Sequence, residues 1–292
     1  ALFHEAEKER PARQDPPGAG LVMAAAALPF LIAALIWWAS TGVLFWRMGK
    51  APGTYNATVI AATLAMGAGT LALLALRNDT GVLAAYGSFL AGIAIWGWHE
   101  ALFLTGYVAG PRRAPCPEGL STWRRFVVST EVVIHHELAI AAHAVLLVAL
   151  SWGAANPIAA WTFLLLWGMR LNAKMVVFLG APNISDEFLP RHLTYLSTYF
   201  GKRRVTAFFP IFITLATAAA TALTYTAALQ PAGSGLAIGL MLISALAWLA
   251  VLEHWALVLP IPDGALWRWA QPKSQTPPTL DKKQKIGGPH GL

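Results

Sequence analysis

The chain alternates long apolar runs with short polar connections. A bilayer crossing needs roughly 20 mostly apolar residues. Seven runs meet that length, at about 21–46, 57–76, 81–109, 127–151, 155–180, 206–229 and 235–259. The pattern predicts an all-α fold: a polytopic membrane helical bundle of about seven transmembrane helices over 21–259. Residues 1–20 and 260–292, rich in Pro, Lys and Gly, are expected to be flexible, and 1–20 does not have the composition of a signal peptide. No internal repeat is visible.

Composition strengthens this reading. The chain is 57% hydrophobic and 12% charged, against roughly 25% charged in soluble domains. Many of the 13 Trp residues sit near the ends of apolar runs, where indole prefers the membrane interface. The net charge of +7 does not indicate a nucleic-acid partner, because the basic residues lie in short loops between apolar runs. Their distribution indicates topology instead. One side of the alternation carries fifteen Lys and Arg, including Arg47, Lys50, Arg112, Arg113, Arg124, Arg125, Arg191 and the C-terminal lysines. The other carries four: Lys8, Arg10, Arg13 and Arg77. The positive-inside rule then predicts an outside N-terminus and a cytoplasmic C-terminus. The single Cys116 rules out an internal disulfide and any multi-Cys metal site.

Ionisable residues within spans are costly and point to function. Here they gather towards the expected cytoplasmic ends: His99 and Glu100, then Glu131, His135, His136 and Glu137, then Arg170 and Lys174, then Glu253 and His254. His192 follows in the loop after the fifth run. Glu131 and His135 share a helix face, as do His136 and His143. Because His135, His136 and Glu137 are adjacent, they fan across the helix, and one of the two imidazoles is expected to face the bundle. Mixed imidazole and carboxylate groups suit iron, manganese or zinc. The candidate metal ligands are His99, Glu100, Glu131, His135, His136, Glu137, His192, Glu253 and His254. The Glu-x-x-His pairing of di-iron bundles and the HxxxH and HxxHH boxes of membrane hydroxylases are absent. Three readings stay open: a metal site, a pocket for a pigment or polar substrate, or a structural ion-pair network in which Arg170 and Lys174 neutralise the carboxylates.

His143 is expected about 24 Å along the fourth run at 1.5 Å per residue, away from this group. It closes an AxxxH pattern with Ala139. A small residue one turn before a histidine leaves room for a macrocycle, so His143 is a candidate ligand for bacteriochlorophyll magnesium. The alternative is a core histidine bonded across helices.

Residues 170–204 are the most distinctive. Gly180 and Pro182 are expected to end the fifth helix. An amphipathic segment near 185–204 follows, with Leu189, Leu193, Leu196 and Phe200 at spacings of four, three and four. Such a segment could roof the polar cluster and bring His192 to it.

The HHE of the fourth run (His135, His136, Glu137) and the RLN…FLGAPN…EFLPRHLTYLSTYF stretch resemble PuhE, the photosynthetic complex assembly protein 2 family of purple phototrophic bacteria. The resemblance spans roughly 20–260 and is most specific at 170–200. It implies a multi-pass protein of the bacterial inner (intracytoplasmic) membrane that serves photosynthetic complex assembly or bacteriochlorophyll supply. The implied partners are membrane lipid, reaction-centre or light-harvesting subunits and pigment-synthesis enzymes. The candidate cofactors are a metal and bacteriochlorophyll. The competing reading is a metal-dependent membrane oxidoreductase, with a di-iron centre as one option, acting on a tetrapyrrole or another lipophilic substrate. Transport is disfavoured, since neither paired broken helices nor repeat symmetry is visible.

Overall fold

The computed structural model describes residues 19–184, 186, 189–201, 205–260 and 263–270. Among these residues there is no strand, and seven helices are long and apolar enough to cross a membrane. They are α1 (Ala19–Met48), α2 (Tyr55–Leu76), α3 (Val82–Leu104), α4 (Thr122–Leu150), α5 (Ile158–Leu179), α6 (Phe209–Ala228) and α7 (Gly235–Ala256). The chain is a multi-pass membrane-type bundle. Apolar side chains such as Leu64, Leu71, Val145 and Leu215 cover its outside, as lipid contact requires.

The helices differ in how deeply they are embedded. In α7, 61% of the most apolar window is buried inside the bundle, against 11% for the second span. α3 and α7 are therefore the central helices, and α2 lies on the rim against α3. Small residues permit the close approaches. A Cβ at Gly92 of α3 would stand 2.7 Å from the carbonyl of Ala159 and 2.8 Å from Thr162, so α3 and α5 touch backbone to backbone.

Helix ends follow local chemistry. The Ser121 hydroxyl accepts from the Arg124 amide at the start of α4, and Ser234 does the same for Ala237 at the start of α7. α5 ends at Gly180, whose φ of 150° a side chain would resist.

Two boundaries differ from the hydropathy reading. The third run extends to 109, but α3 stops at Leu104, and Gly106 turns the chain with φ of 79°. The next residues fold onto α4. The Ala109 carbonyl accepts from the backbone N–H of His136 at 2.9 Å. A Cβ on Gly110 would collide with the backbone of Glu131 and Val132. The second difference is that α4 begins at Thr122, before its apolar run, and is 29 residues long. It therefore continues well past the end of α3.

The amphipathic segment after α5 is a 3-10 helix, Arg191–Tyr199. Its buried residues are Leu193, Leu196 and Tyr199. At three residues per turn, positions three apart line one face, so Tyr199 joins the buried stripe and Phe200 is only partly buried beside it. The stripe packs on Met48, Tyr55, Phe103, Leu104 and Val132. Tyr199 also ties in the preceding loop. Its hydroxyl accepts from Arg112 Nε at 2.8 Å and donates to the Ala114 carbonyl at 2.7 Å. Lys202, Arg203 and Arg204, which belong to the expected segment, lie outside the described residues.

Residues 1–18 and 271–292 of the expected tails also lie outside the described residues. Within the stretch read as a tail from 260 onward, Asp263–Ala270 forms a 3-10 helix. Its Trp267 is buried against α1, with ring centroids 5.3 Å from Trp37 and 5.6 Å from Phe45.

Candidate functional site

Three helices place titratable side chains in one interior region. From α3 come His99 (1% exposed) and Glu100 (9%), and from α4 comes His136 (1%). The half-buried Glu137 and His143 join from α4, and Arg170 and Lys174 approach from α5. His99 Nε2 lies 3.0 Å from His143 Nδ1. The His99 and His136 rings are 6.5 Å apart between centroids. Aromatic rings fill the gaps: Phe103 sits 4.6 Å from the His136 ring, and Phe163 sits 5.6 Å from His99 and 5.7 Å from His143.

Both carboxylates are paired across helices. Glu100 Oε2 meets Arg170 Nη2 at 3.5 Å. Glu137 forms an ion pair with Lys174 through Oε1 and accepts from Trp167 Nε1 at 3.2 Å through Oε2. Lys174 Nζ also lies 5.7 Å from the centre of the Phe103 ring. These pairs neutralise charge that a lipid-embedded interior would not otherwise tolerate.

The pairing is incomplete. Glu100 Oε1, His99 Nδ1 and both ring nitrogens of His136 are buried and have no hydrogen-bond partner among the described residues. An unpartnered buried polar atom costs about 1–3 kcal/mol. Native interiors rarely leave several together unless water or a ligand completes them.

His143 corrects the depth argument. It is not remote from the cluster but stands in it, because α4 is displaced along its axis relative to α3. His136 packs on Phe103, one residue from the end of α3, while α4 begins fourteen residues before His136. The overhang is about 20 Å at 1.5 Å per residue.

The remaining proposed ligands do not converge. Among the described residues, no group of three or more His, Cys, Asp or Glu is close enough to hold a metal ion. Of the adjacent pair, His136 faces the bundle and His135 is exposed on the outer surface. Glu131 contributes chiefly through its backbone carbonyl, which accepts from the Arg112 amide at 3.5 Å. Glu253 is exposed. The neighbouring His254 is buried, with Nδ1 2.6 Å from the Ala250 carbonyl. His192 does not reach the cluster. Its ring stands 5.7 Å from Tyr55, beside Gly106. Desolvation lowers its pKa from the ordinary histidine value, against a backbone hydrogen bond with Leu104 that raises it. The 3-10 turn aims Leu193 and Leu196 at the bundle, which leaves His192 at the side.

The family model described as "Protein of unknown function (DUF3623)" matches residues 23–278. The chain belongs to this family. A relative from Rhodobacter capsulatus, named "Uncharacterized 30.4 kDa protein in puhA 5'region", is 36% identical over 256 residues. The match covers 85% of this chain and 93% of the relative. No solved structure matches the chain.

In this DUF3623 protein the sequence reasoning overlooked the aromatic residues that shape the site: Trp98, Phe103, Phe163 and Trp167. One signal was available. Trp167, Arg170 and Lys174 are spaced by three and four on α5, so the indole and both cations occupy one face. Phe103 and Phe163 carried no such mark in an apolar sequence.

Proposed function

We propose that the protein is an inner-membrane factor for photosynthetic complex assembly or bacteriochlorophyll supply, and that its α3–α4 face binds the pigment through His143. In this reading the C-terminus is cytoplasmic, which the fifteen-to-four distribution of Lys and Arg supports. The observation that carries the reading is the His99–His143 pair. His143 is half-buried, its Nδ1 is engaged at 3.0 Å, and its Nε2 has no hydrogen-bond partner among the described residues. A helix-borne imidazole with one nitrogen held and the other left over suits ligation of a macrocyclic magnesium. Ala139 lies one turn away and is small, as the AxxxH pattern requires. The family resemblance and the relative's placement in the puhA 5' region support the same setting. When bound, the pigment would supply only its metal as an electrophile, while this chain would hold and orient it.

The test is the absorption spectrum of gently solubilised protein from a phototrophic host. Bacteriochlorophyll bands are expected, and they should be lost in His143→Ala. A wild-type spectrum without such bands overturns the reading.

The unpartnered atoms of Glu100 and His136 favour a second reading, a metal-dependent oxidoreductase acting on a tetrapyrrole or other lipophilic substrate. It requires one or two metal ions per chain by elemental analysis, reduced in His136→Ala. Absence of stoichiometric iron, manganese and zinc removes it.

A further inference from the structure

The 3.0 Å contact between His99 Nε2 and His143 Nδ1 has room for one proton. With both rings neutral, one nitrogen donates and the other accepts. The two arrangements have opposite consequences. If His99 donates, His143 carries its own proton on Nε2, and the nitrogen on the half-buried side has no lone pair for a metal. If His143 donates from Nδ1, its Nε2 lone pair is free, and His99 carries its proton on Nδ1, inside the bundle.

The interior decides between them. His99 Nδ1 is fully buried without a partner among the described residues, as are Glu100 Oε1 and both nitrogens of His136. Glu100 Oε1 is an acceptor, and a neutral His136 supplies one lone pair. Neither nearby cation reaches these atoms: Arg170 pairs with the other oxygen of Glu100, Oε2, and Lys174 with Glu137. An interior with surplus acceptors favours a proton on His99 Nδ1, which bridging water can connect to them. A lone pair at that position would face other acceptors.

We propose that His99 is a positioning residue: it accepts the Nδ1 proton of His143 and so holds the His143 Nε2 lone pair free to ligate a macrocyclic metal. The ligand role of His143 rests on the pigment reading above, whereas the direction of the hydrogen bond does not.

Two measurements on the full-length protein separate these claims. The first is 15N NMR of protein labelled at histidine, without pigment. The expected spectrum has His143 protonated at Nδ1 and unprotonated at Nε2. Protonation at Nε2 overturns the proposal. The second is titration with bacteriochlorophyll a in mild detergent, read by the visible band that reports magnesium coordination. His143→Ala should abolish ligation. His99→Leu should weaken it by about 10- to 100-fold, the usual effect of losing a partner that orients a ligand. His99→Gln, whose amide oxygen can accept the same proton, should recover most of it. Equal ligation by wild type and a folded His99→Leu variant overturns the proposal and leaves the pigment reading intact. Failure of the wild type to bind overturns the pigment reading, and the tautomer measurement then decides the role of His99 by itself.

Discussion

The polar residues at two places inside this bundle are held on opposite principles. Near the Arg77 end, Asn156 joins the α2–α3 connection to the start of α5. Its Nδ2 lies 3.2 Å from the Leu76 carbonyl, 3.0 Å from that of Asp79 and 3.0 Å from Ser88 Oγ. Its backbone N–H donates to the Arg77 carbonyl at 2.8 Å, and its Oδ1 accepts from the Ile158 amide at 3.4 Å. Both side-chain polar atoms and the backbone N–H of this residue are used. The His99–Glu100–His136 region near the other end leaves four buried polar atoms without partners among the described residues. A fully satisfied polar group holds helices in register. A partly satisfied one keeps capacity for something outside the protein, at a cost in stability.

The largest effect that would sharpen this contrast is expected at Lys174. Lys174→Ala strands the Glu137 carboxylate, whose side chain is only 17% exposed, and should destabilise the protein by about 3 kcal/mol. Thermal unfolding in detergent would show this as a clear fall in midpoint. The double variant Lys174→Met with Glu137→Gln should recover most of it. Failure to recover would mean that the ammonium also acts through the Phe103 ring and not only by neutralising Glu137.

A smaller loss, about 2 kcal/mol, is expected for Asn156→Ala, which removes the donors serving buried carbonyls at the α2–α3 turn. Pigment or metal content per folded molecule should not change. If that content falls with stability, the two regions are coupled and the contrast breaks.

The smallest effect on stability is expected at His136. His136→Phe replaces a ring with two unpartnered buried nitrogens and keeps an aromatic neighbour for Phe103. The unfolding midpoint should stay level or rise by the equivalent of about 1 kcal/mol, while occupancy of the site falls. A midpoint several degrees lower would show that the His136 nitrogens belong to the scaffold, completed by ordered water.

Much of the architecture was legible before folding, and the reason differs by feature. The seven spans follow from transfer free energy, which sums along the sequence. Gly180 ends α5 because its φ of 150° is open mainly to glycine. The identity of the buried polar residues was also legible, since His99, Glu100, His136, Glu137, Arg170 and Lys174 interrupt otherwise apolar runs. Their grouping was not. His143 was assigned a depth by counting from the start of its apolar run, which assumes that neighbouring helices begin level. His192 was expected at the cluster from an α-helical stripe, but the segment winds as a 3-10 helix and turns Tyr199 inward instead.

The sequence by itself determined that this chain is a seven-span membrane bundle and which of its residues pay a desolvation cost, because both depend on composition over short windows. Only the tertiary structure decided that His143 meets His99, that Arg170 takes Glu100 while Lys174 takes Glu137, and that His135 is left outside. Those outcomes depend on the axial offset of α4 against α3. That offset is set by the 105–110 loop folding back onto the α4 backbone, where Gly110 fits and a larger residue would not. Hydropathy contains no measure of such an offset.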